Sequence, residues 1–318
     1  MPDVLVEANH LTKRFGNTLA VDDLSLTLHK GEILGLVGPD GAGKTTTIRL
    51  LCGAMRPDKG EVFVGGIDMS RQPDLARERL GYLSQRFSLY DDLTVLENLR
   101  FFAEVRGLSP EEWKPRTLEI LEFVGLAQFV DRLVKNLSGG MKQKLGLATA
   151  LVHRPSLILL DEPSGGVDPV TRQDFWQLII HLVAEEGVGV LVSTPYMDEV
   201  ARCSHVGMMQ QGQIVLEGSP ESIRQHLEGQ VLELRGTPLP ALRELAEKVK
   251  DIIDVHSFGD RLHLRIHKGA ADKIIKTIKK EAKQAGFTID HLEQTPAQLE
   301  DVFIALLAER QAQTAGVK

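Results

Sequence analysis

Over the first two thirds of the chain, short apolar runs rich in Val, Ile and Leu alternate with segments of helical length, the order expected of a sheet covered by helices. The clearest strands are predicted at residues 33–37, 80–84, 156–160 and 188–193, and each leads into a loop of chemically specialised residues. Those loops fall at strand carboxyl ends, where open α/β sheets bind ligands. Shorter or alternating runs at 4–7, 25–28 and 61–64 predict an antiparallel subdomain beside the main sheet. Helices are expected over 94–105, 111–124, 139–152, 169–185 and 196–203.

A turn at Gly212, a strand at 213–217 and a Ser-Pro-capped helix at 219–227 end this pattern, so the domain boundary is placed near Gly229, giving domains 1–228 and 229–318. The second domain reads as small and α+β. It has a strand at 231–235, a helix at 241–249, alternating segments at 254–256 and 261–266, a Lys-rich helix at 270–285, a further strand and a helix at 296–308. No catalytic constellation is visible there, and the tail 311–318 is expected to fray. There is no internal repeat.

Length agrees with this division: 318 residues hold one large domain and a smaller one, at roughly 100–200 residues per domain. With 44 acidic against 37 basic side chains the net charge is −7, which weighs against a non-specific nucleic-acid binder. Cys52 and Cys203 each sit in an apolar segment and read as reduced core thiols, in keeping with a cytosolic compartment. The first residues carry acids where a secretory leader carries positive charge. No window reaches the roughly 18 unbroken apolar residues of a membrane span, so a role at a membrane calls for another chain to cross it.

The chemistry begins after the strand 33–37. Gly38-Pro39-Asp40-Gly41-Ala42-Gly43-Lys44-Thr45 follows a strand, opens a helix and has the spacing of a phosphate-binding loop. Its glycines let backbone N–H groups close around β- and γ-phosphate oxygens, and the helix amino terminus adds partial positive charge. Lys44 neutralises the phosphates, the Thr45 hydroxyl is a Mg²⁺ ligand, and Thr46 offers a further hydroxyl.

The strand 156–160 delivers Asp161 and Glu162 at its end, a poor place for two charges unless a cation or reactant awaits them. Mg²⁺ is the natural partner of Asp161. Glu162 is then placed to polarise the water that attacks a γ-phosphate, as a general base. Together these elements define a P-loop nucleoside triphosphatase.

Leu137-Ser138-Gly139-Gly140-Met141-Lys142-Gln143, shortly before the acidic strand, resembles the signature sequence of ABC transporter ATPases. Ser138 with Gly139 and Gly140 makes a second anion-binding helix terminus. The resemblance implies an α/β fold: an ABC-type P-loop core with a mixed sheet, an antiparallel β subdomain and a helical subdomain, followed by the small α+β domain. It also implies ATP and Mg²⁺ as ligands, and a head-to-tail dimer in which each ATP lies between one subunit's phosphate loop and the other's signature. The second ATPase would be a copy of this chain or a related one.

Further matches run in order along the chain. Phe15 corresponds to the family's adenine-stacking aromatic, with a core aromatic as the competing reading. Gln85 occupies the glutamine-loop position, where the family's residue touches Mg²⁺ and the attacking water. Asp168, in Ser164-Gly165-Gly166-Val167-Asp168, matches the aspartate that contacts the opposite subunit, with Gly165 and Gly166 departing from the usual side chains. The larger departure is Pro195, where the family has a histidine: proline offers no side-chain donor to a γ-phosphate. ATP binding is therefore expected to be normal and hydrolysis slow or altered, unless a partner's site carries most of the turnover.

Residues 87–99 with Phe101 and Phe102 exceed what one amphipathic face needs, and the family receives a coupling helix of its transmembrane permease subunit there. For Leu99 and Phe101 a plain core role stays open. This segment and 294–303 look like the ATPases of bacterial and archaeal drug or polysaccharide exporters, which implies export and a place on the cytoplasmic face of the membrane. Two alternatives remain, a non-transport ABC ATPase and a hydrolysis-impaired regulator. The first is opposed by a single set of motifs without a heptad run, the second by the intact Lys44, Asp161, Glu162 and Ser138.

Overall fold

The computed structural model describes residues 3–86 and 88–315 and divides into two compact units, Met1–Glu217 and Gly218–Lys318. In the first unit β1 (Val4–Phe15) and β2 (Thr18–His29) form a long antiparallel pair. Both outrun the short strands expected at 4–7 and 25–28. Polar positions such as Lys13, Arg14 and Asp22 interrupt the apolar signal, and register shifts mark bulges along the pair. Val6, Ala8, Leu11, Val21, Leu24, Leu26 and Leu28 face inward and carry the burial.

The chain then enters β3 (Ile33–Val37), whose five residues are all buried, and α1 (Lys44–Leu51). Next come β4 (Lys59–Val64), β5 (Ile67–Asp68), α2 (Pro73–Glu78) and β6 (Leu80–Leu83). The first sheet has the order β2-β1-β4-β5.

Helices α3 (Val95–Val105), α4 (Pro110–Phe123) and α5 (Gly139–Leu151) form the helical subdomain around Val95, Leu99, Ala103, Trp113, Leu121, Leu145 and Ala148. Capping boxes start α3 (Thr94 with Glu97) and α4 (Ser109 with Glu112), satisfying first-turn N–H groups that would otherwise be orphaned. Leu99 is core, whereas Phe101 is 36% exposed.

The second half of the unit holds β7 (Leu157–Asp161), α6 (Pro169–Glu186), β8 (Gly189–Thr194), α7 (Met197–Val200), β9 (His205–Gln210) and β10 (Gln213–Gly218). The main sheet runs β10-β9-β3-β8-β7-β6, with parallel pairing from β9 through to β6. Helix α7 is one turn, shorter than the expected 196–203, because Arg202 and Cys203 already turn back on Glu199 and Val200 before β9 begins.

The second unit contains α8 (Pro220–Arg224), β11 (Val231–Thr237), α9 (Leu239–Glu247), β12 (Ile252–Phe258), β13 (Arg261–Ile266), α10 (Ala271–Ala285), β14 (Thr288–Gln294) and α11 (Leu299–Ala315). Its antiparallel sheet, ordered β12-β13-β11-β14, with α9 and α10 on one apolar face, is a split βαβ arrangement. This unit begins at Gly218, ahead of the boundary read at 229, because α8 contacts α11. The tail expected to fray is helical as far as Ala315; residues 316–318, and Phe87 in the aromatic segment, lie outside the described residues.

At the end of α5, His153 shares a hydrogen bond with the Leu80 carbonyl at 3.0 Å. Burial, reinforced by the Arg106 charge, pushes its pKa down from 6.5 to about 4. Its neutral form belongs to the fold, so the stability it contributes is complete above pH 6.5 and lost as pH falls toward 4. Near pH 5.5 the loss is about 1 kcal/mol. Thermal unfolding at pH 7 and pH 5.5 is expected to show a smaller acid-induced drop in Tm for His153→Gln than for the natural chain.

Candidate nucleotide-binding site

The loop from Gly38 to Gly43 is fixed by contacts that exclude side chains. A Cβ on Gly38 would lie 2.3 Å from the Met209 carbonyl oxygen, and one on Gly43, whose φ is +106°, 2.3 Å from that of Ala20. Only glycine fits either place. The buried Lys44 at the start of α1 donates from Nζ to the carbonyls of Gly38 (2.9 Å) and Pro39 (3.3 Å), and lies 3.4 Å from Glu162 Oε1. A cavity of about 380 Å³ opens here, lined by Phe15, Thr18, Ala20, residues 40–46, Gln85 and Glu162. Phe15 is 48% exposed at its wall, which rules out the core reading of that aromatic.

Asp161, the last residue of β7, is fully buried. Its Oδ1 accepts the hydroxyls of Thr45 (2.9 Å) and Ser193 (2.8 Å), while Oδ2 has no hydrogen-bond partner. A buried carboxylate oxygen without a donor is what a bound cation would satisfy. With the Thr45 hydroxyl beside it, the donor set fits a hard divalent ion that takes oxygen ligands and shares them with phosphates.

Glu162, one residue on, is held at φ +48°, a left-handed conformation that costs about 1 kcal/mol or more for a non-glycine residue. Its N–H compensates by bonding both the Ser193 carbonyl (3.1 Å) and the Ser193 hydroxyl (3.0 Å). The twist aims its carboxylate at Gln85, whose Nε2 donates to Oε2 at 2.8 Å. Gln85, Lys44 and Glu162 thus converge on one cavity.

Ser193 is the functional residue that sequence reasoning passed over. It sits in register with Asp161 across the β7–β8 pair and ties both carboxylate residues together. A serine closing an otherwise apolar buried run was the available signal.

The signature residues occupy a different place. Ser138 caps α5 by accepting the Met141 N–H at 3.3 Å, and Asp168 caps α6 through Val170 N (3.1 Å), Thr171 N (3.0 Å) and the Thr171 hydroxyl (2.6 Å). The Thr171 hydroxyl is the main reason the Asp168 carboxyl titrates below the ordinary carboxylate range. Gly140 packs so closely on α6 that a Cβ there would lie 2.1 Å from Thr171 Cγ2. Ser138, Gly139, Gly140 and Asp168 therefore form one cluster, and none of them lines the cavity of Lys44 and Glu162.

Pro195 follows β8, is exposed and does not line the cavity either. Around it the Thr194 hydroxyl donates to the buried Glu199 at 2.5 Å, and the Tyr196 N–H donates to Thr194 Oγ1 at 3.0 Å.

A phosphate-binding loop between a buried strand and a helix, with two carboxylates ending the parallel strand next but one to it in the sheet, defines a P-loop nucleotide-binding protein. The profile of the ABC transporter family matches residues 21–165. The linearmycin resistance ATP-binding protein LnrL of Bacillus subtilis is 33% identical over 95% of this chain and 98% of its own length. The probable multidrug ABC transporter ATP-binding protein YbhF of Escherichia coli is 39% identical over 96% of this chain; the chain spans about half of it, 53%. Among solved structures, an ATP-binding subunit of an ABC transporter aligns over 70% of this chain and 93% of its own, with TM-score 0.64 and 29% identity. The dimeric post-hydrolysis ATP-binding cassette MJ0796 bound to ADP and Pi aligns over 68% and 98%, with TM-score 0.62 and 28% identity. The chain belongs to the ATP-binding proteins of the ABC transporter family, for which ATP hydrolysis is characteristic.

The packing of Gly140 is directly testable. Gly140→Ala is expected to destabilise the chain by about 1–3 kcal/mol through overpacking against Thr171. Gly139→Ala, whose nearest neighbour would be Val167 Cγ1 at 3.8 Å, should unfold close to the natural midpoint. Thermal unfolding of the two variants side by side decides it.

Proposed function

We propose that this chain binds and hydrolyses ATP to drive export by a membrane-spanning partner, with each ATP held between its own phosphate loop and the signature of a second ATPase subunit. The observation that carries this is the convergence of Lys44, Gln85 and Glu162 on one cavity while Ser138, at the amino terminus of α5, and Asp168 lie outside it. The Ser138 terminus lies apart from the cavity, so a nucleotide that uses both kinds of terminus spans two subunits. The dimeric state of the MJ0796 cassette supports this arrangement.

In the proposed site Phe15 stacks the adenine, the amides of residues 40–46 and Lys44 hold the phosphates, and Glu162 accepts a proton from the attacking water. Thr45 and Asp161 would hold Mg²⁺, with Gln85 at its edge; when bound, the ion neutralises charge developing on the β- and γ-phosphates. Glu162 is oriented by the Gln85 amide and the backbone bonds to Ser193, so its carboxylate needs little rearrangement. Pro195 leaves the end of β8 without a side-chain donor, which favours slow turnover at this chain's own site.

The partner surface is proposed along the second half of α3 and the turn before the helix. Tyr90 and Phe101 stack edge to face at 4.7 Å, Phe101 meets Phe102 at 5.4 Å, and Tyr90, Phe101 and Val105 are exposed. Asn98, fully buried, fixes this patch through both polar atoms of its side-chain amide: its Oδ1 accepts the Tyr90 N–H at 2.9 Å, and its Nδ2 donates to the carbonyls of Tyr90 (3.0 Å) and Thr94 (2.9 Å). Exposed aromatics on a rigid frame suit a helix of a permease. Among the described residues no helix is long and apolar enough to cross a membrane, so attachment to the cytoplasmic face would run through that permease. Relatives named for multidrug transport, linearmycin resistance and Nod factor export support export as the direction. The unit from Gly218 onward is proposed to be an accessory domain.

The test is steady-state ATP hydrolysis by the chain assembled with its permease. Glu162→Gln should lower kcat by roughly 100-fold or more while ATP binding persists. Pro195→His should raise kcat several-fold. An unimpaired Glu162→Gln enzyme overturns the general-base role.

A further inference from the structure

The turn that carries Pro195 is anchored from outside the site by one side chain. Arg172, in the first turns of α6, lays its guanidinium 4.4 Å from the centre of the Tyr196 ring and lies 3.7 Å from both Asp198 and Glu199. Glu199 is 1% exposed, and among the described residues Arg172 is the only cation within ion-pair reach of it. One Glu199 oxygen takes the Thr194 hydroxyl; the other, Oε1, has no hydrogen-bond donor and faces Arg172 Nε, which is likewise without an acceptor. A carboxylate this deep depends on that cation.

Both ends of the contact lead to functional residues. On one side, Arg172 N–H bonds the Asp168 carbonyl at 3.0 Å, and the adjacent Thr171 hydroxyl bonds the Asp168 carboxylate at 2.6 Å. On the other side, Thr194 is next in β8 to Ser193, which bonds Asp161 and the Glu162 amide. The intervening Pro195 has no N–H to bond. What holds the turn is therefore the side-chain set Thr194, Tyr196 and Glu199, closed by Arg172.

We propose that Arg172 is a positioning residue for ATP hydrolysis: it clamps the Pro195 turn, so that Ser193 keeps Asp161 and Glu162 in place, and it ties that geometry to the Asp168 loop. This rests on the ATPase reading above. Arg172 touches no nucleotide in the proposed site; it acts through Glu199 and Tyr196. Removing it leaves the Glu199 charge buried and unpaired, which pulls the Thr194 bond apart and loosens the end of β8. Lysine keeps the charge but loses the planar face that stacks on Tyr196 and the forked donors.

The experiment compares the full chain with its Arg172→Ala, Arg172→Lys and Arg172→Ala/Glu199→Gln variants. MgATP hydrolysis and amide hydrogen exchange are both measured. Arg172→Ala should lower kcat about tenfold with KM changed by less than about twofold, and Arg172→Lys should recover only part of the rate. Adding Glu199→Gln should restore part of the loss, because the unpaired charge is gone. In Arg172→Ala the amides of Glu162 and Tyr196 should exchange faster. Unchanged kcat, or a fall in kcat with unchanged exchange at Glu162, overturns the proposal. If the natural chain itself fails to turn over ATP, the ATPase reading falls, and the exchange at Glu162 alone still decides whether Arg172 holds the site.

Discussion

The first unit is organised around the burial of one negative charge. Asp161 ends β7 with no exposure to solvent, inside a sheet whose central strands are apolar on both faces. An isolated carboxylate there would be prohibitively desolvated, so its neighbours are chosen by what they can donate. Thr45 supplies a hydroxyl from α1, and Ser193 supplies another from β8. Those two bonds join α1, the acidic strand β7 and β8 at one atom. The oxygen left without a donor marks where a cation would complete the set.

Once Asp161 is fixed, the placement of Glu162 follows. The next residue after a strand end would ordinarily continue extended or turn away, yet Glu162 is twisted to φ +48° and bonded twice to Ser193. That strain is the kind concentrated at functional positions, and here it turns a carboxylate toward Gln85 and Lys44. In the structure Lys44 is bonded to loop carbonyls and lies beside Glu162, so phosphate oxygens would compete with weak backbone acceptors for a buried ammonium. Within the loop, Gly38 and Gly43 are required by the backbone oxygens of Met209 and Ala20, and Gly41 by its positive φ of +78°.

Much of this was legible in the sequence because the chemistry is local. The phosphate loop, Asp161 and Glu162, Gln85 and the Ser138 cap each show in a few contiguous residues, and the four main strands show as apolar runs. What stayed hidden depends on residues distant in sequence. Strands β1 and β2 extend past their apolar cores because the ladder continues across bulges to polar positions such as Arg14, paired with Leu19, and Lys13, paired with Val21. The strand β9 and the short helix α2 went unread, since neither has a strong period of its own. The second unit starts at Gly218 because α8 meets a helix some eighty residues later, which no local signal conveys. Ser193 looks like a strand-end hydroxyl until the register with Asp161 is known.

The same distinction explains why Pro195 can be misread as a simple loss. In the sequence it is one missing imidazole. In the structure the residues on either side of it are heavily engaged: Ser193 and Thr194 bond inward, and Tyr196 and Glu199 face the Arg172 guanidinium of α6. Proline suits such a turn because its φ is fixed and its missing N–H leaves no donor to satisfy. The end of β8 is joined to Asp161 and Glu162 by bonds of 3.0 Å or less at the Ser193 hydroxyl. The bonds that satisfy Asp161 and the bonds of the turn around Pro195 therefore meet at the end of β8, where Ser193 and Thr194 are adjacent.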